Sequence, residues 1–137
     1  MILVDTNVWS ELCRRQPHPS VLTWEMRVAS QLWLSVIVLA EMRAGVALLP
    51  QGRNRVALSA MIEALVDRYQ QRIVTFDERC SLFYGQVLAD ARAAGRPILT
   101  ADAMIAATAH ANGMRIATRD VHDFAGAGVE IVNPWES

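Results

Sequence analysis

Four carboxylates interrupt otherwise apolar surroundings in this chain. Asp5 directly follows the β-rich run ILV, Glu41 lies inside VIVLAEMRAGVALL, Asp102 opens the apolar segment AMIAATAHA, and Asp120 comes two residues after a run ending at Thr118. In an open parallel sheet, ligands bind beyond the carboxyl ends of the strands, and acids already stand at those places. Like charges converging there raise one another's pKa unless hard cations sit between them. An all-oxygen ligand set suits Mg²⁺, with Mn²⁺ as a second fit. Each acid also has a bland reading: Asp5 and Asp102 as helix N-caps, Glu41 as half of a buried ion pair, Asp120 as turn chemistry. A shared edge for all four is what a site assembled from strand ends requires.

Other chemistries find little support. All 13 basic residues are arginine, so Schiff-base, P-loop and other lysine-dependent mechanisms are excluded. Neither HExxH nor CxxC occurs, and Cys13 and Cys80 read as free thiols. His110 reads as a surface or C-terminal capping residue and His122 as part of a solvated loop. A formal charge of −1 offers no global attraction to nucleic acid, so any such binding must be local, through arginines such as Arg14, Arg15, Arg43 and Arg119.

The elements that must position these acids alternate between strand and helix. β-rich runs at Ile2–Val4, Gln31–Leu34, Arg72–Phe76, Arg115–Thr118 and Val129–Val132 are separated by helical patterns, which predicts an α/β fold with a mainly parallel sheet. Ser20, Ser35 and Asp77 are expected to cap helices, Gly95 and Gly113 to end them, and LLPQG to break one from the next. A helix over Val36–Leu49 is apolar almost all round, so burial of Glu41 is expected to cost several kcal/mol unless it is paired, protonated or bound to a cation. A helix over Arg53–Tyr69 carries its apolar side chains near one stripe. The 137 residues are expected to form one domain, 1–137. The absence of an apolar stretch approaching roughly 18 residues, and of a basic leader, gives an expectation of no membrane span and a cytoplasmic location.

Taken together, VDTNVWSEL, SVIVLAEMRAGVALLPQG, DAMIAATAHANGM, TRDVHDF and the closing NPW resemble the PIN-domain ribonucleases, in particular the VapC-type toxins and their FitB-like subgroup. The blocks span essentially the whole chain in the right order. The resemblance implies a three-layer α/β/α fold around a mainly parallel sheet of four to five strands. It implies an Mg²⁺-dependent (or Mn²⁺-dependent) endoribonuclease, the toxin of a type II toxin-antitoxin system. The family's acids fall on Asp5, Glu41, Asp102 and Asp120. The final acid can occupy either of two places in TRDVHDF, so Asp123 stands as the alternative to Asp120 or as a supporting residue. Thr6, Asn7 and Thr118 match polar positions beside the pocket, and Asn7 equally suits a helix cap.

The implied chemistry is in-line attack on phosphorus by a water whose pKa the cation lowers, leaving 3′-hydroxyl and 5′-phosphate ends. A phosphoaspartate mechanism on Asp5 fits poorly, because Asn7 occupies the place of its second aspartate and the required lysine is missing. The rival of another class is a weakly active or silent module working as a partner in an antitoxin-DNA complex. The resemblance implies an RNA substrate, a VapB-like antitoxin, a homodimer and assembly on operator DNA. Trp9, Trp24, Trp33 and Trp135 are many for so short a chain, and some of them are expected to form exposed patches.

Overall fold

A computed structural model describes residues 1–137. Five parallel strands form the sheet: β1 (Ile2–Val4), β2 (Leu32–Ser35), β3 (Ile73–Val74), β4 (Arg115–Ala117) and β5 (Ile131–Val132), in the order β3-β2-β1-β4-β5. Between them run helices α1 (Thr6–Leu12), α2 (Pro19–Val28), α3 (Val36–Ala47), α4 (Arg53–Arg68), α5 (Glu78–Ala93) and α6 (Thr100–Asn112). The chain steps from β1 through β2 to β3, then returns past β1 to β4. Right-handed crossovers therefore put α1–α4 on one face and α5–α6 on the other, the expected three-layer α/β/α arrangement. The reversal of direction falls between β1 and β4, the place where open α/β sheets bind ligands.

The central strands are short and buried on both faces. Leu3, Val4, Leu32, Leu34, Ile116 and Ala117 have no exposed surface, as expected of strands covered by helices on each side. Sequence patterning locates all five strands. The two edge strands, expected at Arg72–Phe76 and Val129–Val132, have only two residues each, because an edge has a single neighbour to hold its ladder. Ser35 and Asp77 cap α3 and α5 as expected. His18, not Ser20, caps α2: its Nδ1 accepts from Ser20 N at 3.2 Å, and Pro19 takes the first helical position.

Two expectations about burial fail. The tryptophans form no exposed patch: Trp9 and Trp24 are buried, Trp33 and Trp135 are half-buried against the core, and Trp9 meets Tyr69 edge-on at 4.9 Å. Glu41 is not enclosed either. Helix α3 buries only Val38 and Met42, and Glu41 lies on its exposed side. The apolar composition of α3 and α4 therefore reaches the surface, where Leu48 is 87% and Val56 68% exposed. Met61, which belongs to the expected stripe of α4, is also exposed.

Because β1 is central and its Leu3 is fully enclosed, Leu3→Ala should cost about 2–5 kcal/mol. Urea denaturation read by circular dichroism checks this; a loss under about 1 kcal/mol would mean that the strand is not the centre of the core.

Candidate active site

Strand register assembles the site. Val4 pairs with Ala117, so the next residues, Asp5 and Thr118, leave the sheet side by side at the β1/β4 reversal. Thr118 Oγ1 donates to Asp5 Oδ2 at 2.8 Å, and both side chains are buried. Asp5 also caps α1, accepting from Thr6 N at 2.8 Å, so its cap and site readings describe one carboxylate with two uses. Thr118 Oγ1 accepts in turn from Asp120 N at 3.0 Å, fixing the turn that carries Asp120.

Asn7 ties the remaining pieces together and does not serve as a cap. Its Nδ2 donates to Asp5 Oδ2 at 3.3 Å, Thr118 Oγ1 at 3.1 Å and Asp120 Oδ2 at 3.0 Å, and its Oδ1 accepts from Arg119 N at 3.2 Å. An amide donor placed between two carboxylates offsets part of their repulsion. On the other side, Thr6 Oγ1 donates to Glu41 Oε1 at 3.0 Å, bringing α3 to the same edge. Asp102 sits in the first turn of α6 beyond Leu99, which occupies the cap position, so the cap reading of Asp102 does not hold.

Electrostatics identify the shared crevice. Burial pushes Asp5 above the usual carboxylate range, against the hydrogen bonds from Thr118 and Thr6, and the charges of Glu41 and Asp120 add to the rise. Asp102 is pushed up to about 6 by burial and by the charges of Asp5, Glu41, Asp123 and Asp120. The charge of Asp123, in the 3-10 turn Val121–Phe124, adds to the rise at Asp102, and that of Asp120 to the rise at both Asp5 and Asp102. The structure brings all four predicted acids, Asp123 and the three polar neighbours to one edge.

No three His, Cys, Asp or Glu side chains close tightly enough to form a ready-made metal cage. The donor chemistry still fits a hard cation: it is all oxygen, negative, and includes two carboxyls that resist ionising side by side. Mg²⁺ keeps several waters and takes only one or two protein carboxylates, so an open acidic crevice suits it better than a closed cage.

Other candidates take structural places. His110 Nε2 donates to Ala127 O at 2.7 Å and its ring stacks on Phe83 at 5.6 Å, tethering the loop that follows Asp123. Sequence patterning missed this role because the partners are remote in the chain. His122 is exposed, and neither cysteine is paired. Arg14 pairs with Glu11 and Arg43 with Glu63, both through solvent-exposed guanidinium groups.

A family profile described as PIN domain matches residues 2–128, and the chain belongs to that family. Among curated relatives it is 46% identical to plasmid stability protein StbB of Pseudomonas syringae pv. tomato, with all of both chains covered. It is 41% identical to VapC ribonuclease Y4jK of Sinorhizobium fredii (99% of each covered) and 40% identical to toxin FitB of Neisseria gonorrhoeae (98% of this chain, 99% of FitB). Its fold superposes on a structure of FitAB bound to an IR36 DNA fragment with a TM-score of 0.90 at 42% identity, covering 98% of this chain and 96% of that one. The resemblance to the VapC-type, FitB-like branch therefore extends over the whole chain.

The raised pKa of Asp102 carries a sign. Between its usual value of 3.8 and about 6 the folded chain binds more protons at Asp102 than the unfolded chain, so this residue's contribution to stability falls as pH rises through that window. In chelator, Asp102→Asn should gain stability relative to the parent between pH 4.5 and 7.5, by about 1–2 kcal/mol once solvent screening of a half-exposed group is allowed for. Urea midpoints at both pH values check this, and a pH-independent difference would contradict it.

Proposed function

We propose that this chain is a divalent-metal-dependent endoribonuclease, acting as one domain and as the toxin of a type II toxin-antitoxin pair. The observation that carries the reading is the convergence of Asp5, Glu41, Asp102 and Asp120 on the β1/β4 reversal, with the two least exposed acids driven up in pKa. The name of the Sinorhizobium relative, a VapC ribonuclease, supports the activity, and that of toxin FitB supports the role.

In this reading Asp5, Glu41, Asp102 and Asp120 hold Mg²⁺, with Mn²⁺ as a substitute, and Asp123 supports Asp102. When bound, the cation would supply Lewis acidity toward a phosphodiester and would lower the pKa of a nearby water. The chain's own contribution is to aim and charge the acceptors. Thr118 and the Thr6 N–H fix Asp5 in one rotamer, Asn7 spaces Asp5 from Asp120, and Thr6 orients Glu41. Burial raises the pKa of Asp5 and of Asp102, and positive charge placed between the acids would lower both. No side-chain nucleophile is required, and the expected products carry 3′-hydroxyl and 5′-phosphate ends.

Cleavage of a labelled RNA should require Mg²⁺ or Mn²⁺ and stop in chelator. Asp5→Asn should cut at least about a hundredfold more slowly, with its circular dichroism spectrum unchanged. Equal cleavage in chelator, or by Asp5→Asn, would remove the metal-dependent mechanism.

The partner expected is a VapB-like antitoxin, with two toxin chains forming a homodimer in the cytoplasm and the assembly binding operator DNA. The DNA-bound FitAB relative favours this assembly, which also accommodates the reading as a weakly active regulatory partner. No helix here is long and apolar enough to cross a membrane. An apolar groove of about 350 Å³, lined by Met42, Val46, Leu49, Leu58 and Ile62, runs up to Thr6 and Glu41. A tail lying in it would bring a basic side chain to the acids and neutralise them. Light scattering should give a dimer, and co-expression with the neighbouring upstream gene should yield a complex with suppressed cleavage. A monomer that neither copurifies with that product nor is inhibited by it would overturn the partner assignment while leaving the nuclease reading intact.

A further inference from the structure

Five acidic side chains around one crevice repel the substrate class proposed above. A phosphodiester backbone is anionic, and a chain of formal charge −1 does not attract it from a distance. Affinity must then come from cations at the rim. Arg14 and Arg43 each have a carboxylate partner, Glu11 and Glu63, that offsets part of their charge. Arg119 is in a different position. It joins Thr118 to Asp120, and its own N–H donates to Asn7 Oδ1 at 3.2 Å, so its backbone is part of the carboxylate network.

The side chain of Arg119 nevertheless pairs with none of the five acids. It is exposed, and its guanidinium lies over the Trp135 ring at 5.1 Å from the centroid. The ring is itself anchored. Asn133 Oδ1 accepts from Trp135 N at 3.1 Å, starting the 3-10 turn Pro134–Glu136 beyond β5, and Trp135 packs half-buried against the core. A guanidinium drawn to an aromatic face by cation–π attraction keeps its charge available to a further partner, and its planar N–H fork matches two phosphate oxygens. The Trp135 ring thus gives the charge a partner other than the neighbouring carboxylates.

We propose that Arg119 binds a backbone phosphate of the RNA at the rim of the acidic crevice, with Trp135 as the platform that positions its guanidinium; this rests on the ribonuclease reading. An arginine on a tryptophan that served stability alone would leave RNA affinity and its salt dependence unchanged.

The test is fluorescence anisotropy with a single-stranded RNA oligonucleotide over a salt series, in the Asp5→Asn background so that the RNA stays whole. Adding Arg119→Ala should weaken Kd by about tenfold and lower the slope of log K against log salt by about 0.7, the share of one phosphate on a single strand. Arg119→Lys should restore the slope but only part of the affinity, since the ammonium keeps charge and loses the planar fork. In otherwise wild-type protein, Arg119→Ala should raise KM far more than it lowers kcat. Unchanged Kd and slope in Arg119→Ala, with the unfolding midpoint retained, would overturn the assignment. Wild-type cleavage is run alongside. If the wild type cuts RNA and Arg119→Ala keeps its KM, the phosphate contact alone falls; if the wild type cuts no RNA, the ribonuclease reading falls and the contact with it.

Discussion

Asp5 and Thr118 emerge side by side from two adjacent parallel strands, joined by a hydrogen bond of 2.8 Å between buried side chains. Burial alone would drive the Asp5 carboxyl toward its neutral form, and the Thr118 hydroxyl and Thr6 N–H oppose that drive. The rest of the edge is organised around this pair. Asn7 reads the same two side chains and extends the network to Asp120, while Thr6, the first residue of the capped helix, reaches Glu41. A sheet register error of one residue would point Asp5 and Thr118 to opposite faces and dissolve the whole arrangement.

The site is therefore held by donors of unequal strength against like-charge repulsion. Asp120 has an amide facing it and Glu41 a hydroxyl, whereas Asp102, raised to about 6 first by burial and then by four neighbouring acids, has no side-chain donor to oppose the rise. Hydrogen bonding from within the chain stops short of balancing the charge. A hydrated divalent cation is the ordinary complement to such a deficit, and an arginine inserted by a partner would be another. Cleavage and inhibition, in the proposed function, are two ways of supplying positive charge to one acidic edge.

Much of this was legible in the chain. The run ILV followed by Asp, and the run ending at Thr118 followed by Arg and Asp, place the acids at strand ends before any coordinates are known, because strand polarity follows from parallel pairing. Glu41 is expected at this edge from its place a turn and a half beyond Ser35, and Thr6 meets it there; the enclosure that the apolar composition of α3 suggests fails, because that helix buries only Val38 and Met42. Composition reports what a helix is able to cover, not which side of it the core uses. The tryptophans erred in the opposite direction. Some of the four rings are expected in exposed patches, but two are enclosed and two are half-buried against the core, while Leu48 and Val56 are left outside. The tether from His110 to Ala127 and the seat of Arg119 on Trp135 depend on loop geometry between remote residues, and no periodicity encodes either contact.

Uptake of a divalent cation at this edge is the property on which the roles of all four acids depend. Calorimetric titration of Mn²⁺ into the metal-free chain, compared with Asp5→Asn and Asp102→Asn, measures that directly. Saturable binding by the parent chain is expected, weakened at least about tenfold in each variant. A parent chain that binds no Mn²⁺, or variants that bind it as tightly as the parent, would contradict the assignment of these carboxylates as its ligands.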